Sequence, residues 1–135
     1  MSDYSVVMTF PTKYWDVYGK HSVPSFDKYW PKDVHAYVYV EGDQNLPYQP
    51  SERVHLLDFD KHITGDKEFA EKYKDKDIFD DKVGGDISKR QAVKFSKKVF
   101  AQLEQLKNPK TRYIIYLDAD LATLKDVPIE LLDNL

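Results

Sequence analysis

The stretch RYIIYLDADLATLKDVP, Arg112 to Pro128, decides how the chain is read. Tyr113 to Leu117 is unbroken apolar and aromatic sequence, and it runs straight into Asp118-Ala119-Asp120. A short run that is apolar on both faces is the pattern of a central strand in a parallel sheet, where helices cover both sides. Ligands of open α/β sheets bind beyond the carboxyl ends of the strands, which is where Asp118 and Asp120 fall. Side chains at i and i+2 of an extended segment point the same way, so the two carboxylates are expected to converge. Paired carboxylates repel unless a cation sits near them. Oxygen-only ligation favours Mg²⁺ or Mn²⁺, which shares its shell with water and phosphate oxygens. An Asp-x-Asp tripeptide can equally cap a turn, and the three residues alone leave both readings open.

Outward from this stretch, strands and helices alternate. YSVVMTF (Tyr4–Phe10) is short, β-branched and closed by Pro11, which predicts a buried strand. In VPSFDKYW, Ser25 is placed to cap a helix that carries Phe26, Tyr29 and Trp30 on one face and stops at Pro31. Val34–Val40 predicts a second strand, with the turn at Gly42, and Val54–Leu57 a third. Phe69, Ala70 and Tyr73 form a weak helical stripe within a segment of mixed charge that ends at Gly84-Gly85. Ser88 and Gln91 make a capping box. Ala92, Phe95, Val99, Leu103 and Leu106 then recur at spacings of three and four, predicting a long helix with that face buried. Asn108-Pro109 ends it. After the Asp-x-Asp segment, LATL reads as a short strand, and Pro128 opens a final helical turn, Ile129–Leu132. Alternating elements of this kind predict one α/β domain over residues 1–135, with a mostly parallel, Rossmann-like sheet flanked by helices.

Bulk properties narrow the function. The 135 residues are 41% hydrophobic and 32% charged, a globular composition with enough chain for one core. A net charge of −3 does not point to nucleic acid. Without cysteine there is no disulfide and no thiolate metal site. The apolar runs are far short of a membrane span, and MSDYSVVMTFP lacks the pattern of a signal peptide. The expectation is a soluble, cytoplasmic protein. Aromatic content is 14%, concentrated early at Tyr4, Tyr14, Trp15, Tyr18, Tyr29, Trp30, Tyr37 and Tyr39. Such rings serve core packing, and on loops they also stack on a base or sugar. The sequence holds no G-x-x-x-x-G-K-[S/T] phosphate loop. His21, His35, His55 and His62 show no metal-binding spacing.

RYIIYLDADLATLKDVP resembles the DxD segment of GT-A-type, nucleotide-sugar-dependent glycosyltransferases. VVMTFPTKYW is similar to that family's first strand and loop, AYVYVEGD to its second strand, and KRQAVKFSKKVFAQLEQL to the helix before DxD. The resemblance implies the donor-binding, N-terminal part of a GT-A fold. It implies that Asp118 and Asp120 face Mn²⁺ or Mg²⁺ and a UDP- or GDP-sugar. Thr9, Phe10 and Pro11 would line the base end, and Glu41 or Asp43 would lie near base or ribose. Lys89 or Arg90 would reach ribose or diphosphate. Cations in a helix's first turn oppose its macrodipole unless an anion sits there, although surface lysines and arginines are common at such positions. GT-A domains continue past DxD to supply the acceptor side. The expectation is therefore a short, glycosyltransferase-like donor-binding domain that transfers or once transferred a hexose. The alternative is a non-catalytic nucleotide-binding remnant, or a subunit completed by a homo-oligomer or another chain. A haloacid-dehalogenase-like phosphatase also carries Asp-x-Asp after a strand. It requires Thr where this chain has Ala122, and Thr123 falls one step late.

Overall fold

The computed structural model describes residues 2–73 and 92–135. The Gly84-Gly85 end of the mixed-charge segment, the Ser88–Gln91 capping box and the candidate ligands Lys89 and Arg90 lie outside them. Strand β1 spans Tyr4–Pro11, and a 3₁₀ turn (Thr12–Tyr14) and a π segment (Trp15–Gly19) lead into helix α1, Lys20–Tyr29. Strands β2 (His35–Glu41) and β3 (Val54–Asp58) follow, then helices α2 (Phe59–His62) and α3 (Gly65–Tyr73). The long helix α4 spans Ala92–Lys107, strand β4 Tyr113–Tyr116 and helix α5 Ile129–Asp133.

The four strands form one sheet in the order β3-β2-β1-β4, with every pair parallel. In register, Val7 faces Tyr37 on β2 and Tyr116 on β4, and Pro11 faces Glu41. Alternation along β1 and β2 sorts the core into two layers. Val6, Met8, Phe10, Ala36, Val38 and Val40 pack with Val23, Phe26 and Trp30 around α1, and with Leu132 of α5. Val7, Tyr37 and Tyr39 pack on the opposite face with Phe59, Ile63 and Ala101. The result is an α/β, all-parallel sheet flanked by helices, consistent with a Rossmann-like fold, as the sequence predicts. No helix among the described residues is long and apolar enough to cross a membrane.

Four local expectations are corrected. β4 lies at the edge of the described sheet rather than at its centre, and β1 and β2 are the fully buried strands. Ile115 packs on the α1 side and Ile114 and Tyr116 on the other. Apolarity on both faces reports helices above and below, not strands on both sides. LATL forms no strand, because the chain turns at once after Asp118, the Leu121 N–H donating to the Asp118 carbonyl at 3.1 Å. Helix α1 starts before Ser25 and runs through Pro24. Ser25 is no N-cap: its hydroxyl donates to the Ser22 carbonyl and accepts from the Thr123 N–H.

The largest correction concerns α4. Phe95, Val99, Leu103 and Leu106 are 40–60% exposed, whereas Ala101 and Gln105 are buried. The sheet face beneath α4 carries the Tyr39 hydroxyl and the Glu41 carboxylate. Gln105 donates to Tyr39 Oη at 2.8 Å, and Lys97 pairs with Glu41 at 3.1 Å. Polar groups on the sheet demand polar partners from the helix when buried, so the polar face turns inward. Val99→Ala and Leu106→Ala are therefore expected to change stability by no more than about 0.5 kcal/mol. Ala101→Leu should cost about 1–3 kcal/mol through overpacking. Urea unfolding of the three variants checks this, and a large loss at Val99 or Leu106 would restore the sequence-based orientation.

On β2 and β3, His35 Nδ1 and His55 Nε2 are 2.9 Å apart, and His55 also stacks on Tyr37. Burial, and then the neighbouring His35, lower the pKa of His55. A histidine that is harder to protonate when folded contributes stability above its unfolded pKa, about 6.5. That stability is lost as pH falls through the lower folded value. Unfolding midpoints at pH 7.5 and pH 5.5 should fall less in His55→Gln than in the wild type, and an equal fall in both would refute the assignment.

Candidate functional site at the carboxyl ends of the strands

β1 and β2 end in register at Pro11 and Glu41, β4 ends earlier, opposite Val7, and polar residues at and after these ends lie against α4. Thr9 shares a face with Tyr39 and Glu41 by register. It is 9% exposed, and its buried hydroxyl has no hydrogen-bond partner. Phe10 points to the other layer, where its ring meets Trp15 and Tyr18 in the core. Pro11 is half-buried at the strand's last position.

The loop after β2 is tied to β1 through Thr12, whose hydroxyl donates to the carbonyls of Glu41 and Asp43. Gly42 makes the turn with φ +95°, a region that side chains with a Cβ rarely adopt. The Asp43 carboxylate accepts from the Asn45 N–H at 2.9 Å, so it is spent on closing its own loop. Glu41 faces inward to Lys97, which also pairs with Asp66 of α3 at 3.0 Å. Burial lowers the pKa of Lys97, but the hydrogen bonds to Asp66 and Glu41 outweigh burial and raise it. The ammonium is therefore held charged between two carboxylates.

Asp118 follows β4 and pairs with Lys98 Nζ. Asp120 sits two residues later in the turn and is exposed. Strand alternation does not align the two carboxylates, because the backbone turns at Ala119-Asp120. Both instead act on Tyr116. Its pKa is raised by burial first, then by Asp118 and, more weakly, by Asp120. The Tyr116 hydroxyl is buried beside the Asp118 carboxylate. Asp120 also raises Tyr18, after burial and Tyr14. Tyr14 and Tyr18 stack at 5.4 Å, and Lys94 of α4 lies 5.7 Å from the Tyr14 ring.

The geometry thus gathers Thr9, Glu41, Asp118 and Asp120 at one end of the sheet, and leaves Phe10 in the core. Lys94, Lys97, Lys98 and Tyr116 join the cluster without having been singled out as ligands, and so do Tyr14 and Tyr18, which the sequence offers only as rings for packing or for stacking. The sequence signal for Tyr14 and Tyr18 is their place after β1, for Tyr116 its place two residues before Asp118, and for the lysines the repeat at α4's amino half. Two clefts, around Asp27–Arg53 and around Lys28–Val127, lie at other places on the surface. Among the described residues no group of three or more His, Asp or Glu side chains gathers as a metal cage. Compared with known proteins, the chain matches no family model, no curated protein and no solved structure.

Proposed function

We propose that the chain is a GT-A-type, nucleotide-sugar-binding domain in which Asp118 and Asp120 hold Mn²⁺ or Mg²⁺ against the diphosphate of a UDP- or GDP-sugar. One observation carries the reading. Two carboxylates leave the end of a parallel strand beside the buried hydroxyl of Tyr116 and the buried, unpartnered hydroxyl of Thr9, in the place where open α/β sheets bind ligands. The donor set fits a hard divalent ion that keeps water and phosphate oxygens in most positions. Such an ion would neutralise the diphosphate. The chain's own residues do the rest: Lys94 and Lys98 supply positive charge for phosphate oxygens, and the Tyr14–Tyr18 stack offers an aromatic surface to a base or sugar. Glu41 and Asp43 serve their neighbours Lys97 and Asn45, and in this reading they support the loop that would border the base.

A second reading, in which another chain completes the domain, is favoured by the exposed α4 stripe and by β4 standing at the described sheet's edge. Both readings share donor binding. A thermal-shift screen of nucleotides and nucleotide sugars, with Mn²⁺ and with chelator, tests it, followed by mass-spectrometric detection of donor consumption. Stabilisation by uridine or guanosine diphosphates only with metal is expected. No metal-dependent response to any of them would refute the proposal.

A further inference from the structure

We infer that Lys98 is a built-in competitor for the cation at Asp118, so that the site takes a metal–diphosphate complex in preference to free metal. The inference rests on the metal reading above and adds a residue to it. The Lys98 ammonium contacts one Asp118 carboxylate oxygen, and both side chains are roughly 40% exposed. The same ammonium lies 5.3 Å from the Phe95 ring and 5.9 Å from the Tyr116 ring. It is held over the cluster by these contacts, while the adjacent Lys97 is committed to Glu41 and Asp66. Asp120 has no cation of its own among the described side-chain pairs.

A free divalent ion approaching Asp118 must displace an ammonium and then share the site with it. Two cations on one carboxylate repel. A metal already carrying a diphosphate brings the anion that Lys98 can move to, so the ammonium is transferred rather than stranded. Ammonium–phosphate hydrogen bonds are charge-assisted and strong, and exposed ion pairs such as Lys98–Asp118 are weak, so the exchange is favourable in that direction only when phosphate arrives. Lys98 thus couples metal to nucleotide.

The test measures Mn²⁺ binding by electron paramagnetic resonance and UDP binding by calorimetry. Wild type is compared with Lys98→Met, Lys98→Arg, Lys94→Met and Asp118→Asn/Asp120→Asn. Methionine keeps an unbranched side chain and removes the charge. Lys98→Met should bind free Mn²⁺ about fivefold more tightly and UDP in the presence of Mn²⁺ less tightly, so that the coupling between the two ligands shrinks. Lys98→Arg should behave as the wild type. Lys94→Met, one turn away and not paired with Asp118, should shift free Mn²⁺ affinity less. Equal shifts in Lys94→Met and Lys98→Met would show a general field effect and overturn the inference. So would an unchanged Mn²⁺ affinity in Lys98→Met while the double aspartate variant loses Mn²⁺-dependent UDP binding. If the double variant keeps that binding, the metal reading itself fails.

Discussion

Arg53→Met is expected to lower the unfolding free energy by about 3–5 kcal/mol, the cost of removing one partner from a buried, hydrogen-bonded ion pair. The Arg53 side chain is 5% exposed and pairs with Asp27 at 3.3 Å. Its guanidinium also donates to the carbonyls of Phe26, Asp27, Pro31 and Val34. Phe26 and Asp27 belong to the last turn of α1; the Phe26 carbonyl also accepts from the Trp30 N–H, while the residue four on from Asp27 is Pro31, which has no N–H to give. One planar group thus closes a helix end, the link to β2 and the entry to β3. Asp27 in turn accepts from Tyr48 and Ser51. Burial raises its pKa, but the Ser51 and Tyr48 hydrogen bonds and Arg53 together lower it. A domain of this size has about 5–15 kcal/mol to lose, so Arg53→Met should unfold at much lower urea or fail to accumulate folded. Arg53→Lys should recover little, because an ammonium cannot reach the same carbonyls as a planar fork. A midpoint near wild type in Arg53→Met would show that the network is dispensable.

The second large effect concerns binding rather than stability. Asp118→Asn/Asp120→Asn should weaken metal-dependent binding of a nucleoside diphosphate about ten- to hundredfold, the loss of charge-assisted contacts worth about 1.5–3 kcal/mol. The same variant should unfold within about 1 kcal/mol of wild type. The Lys98–Asp118 pair is too exposed to contribute more, and Asp120 makes no buried contact. Separation of the two readouts is informative. A residue kept for folding alone would lose stability, and one kept for a ligand loses only the ligand.

How much of this was legible in the sequence depends on the range of the interactions. In Tyr4–Phe10 and Val34–Val40 burial on both faces leaves only apolar or aromatic residues in the middle of the run, whereas Val54–Leu57 reads as a strand from its β-branched and aliphatic residues although β3 is half-buried at the edge of the described sheet. The turn at Gly42 is visible because only glycine tolerates its φ. Asp118 and Asp120 were placed at a strand's end by the run Tyr113–Leu117 alone. The face of α4 was not legible. Ala92, Phe95, Val99, Leu103 and Leu106 form the stronger apolar period, but the partner surface is polar at Tyr39 and Glu41, and periodicity within a helix carries no information about what it will meet. Arg53 was silent for the same reason: its acceptors are main-chain carbonyls that the fold brings together from residues 26–34. Lys97 and Lys98 read as two surface lysines until β2 and β4 bring Glu41 and Asp118 to them.

The most direct measurement of the central claim is a calorimetric titration of UDP and GDP into the full chain, in Mn²⁺ and in chelator, repeated with Asp118→Asn/Asp120→Asn. Binding in Mn²⁺ that vanishes in chelator, and that falls about ten- to hundredfold in a folded double variant, is the predicted result. Affinity that ignores chelator, or that survives unchanged in the double variant, would contradict it.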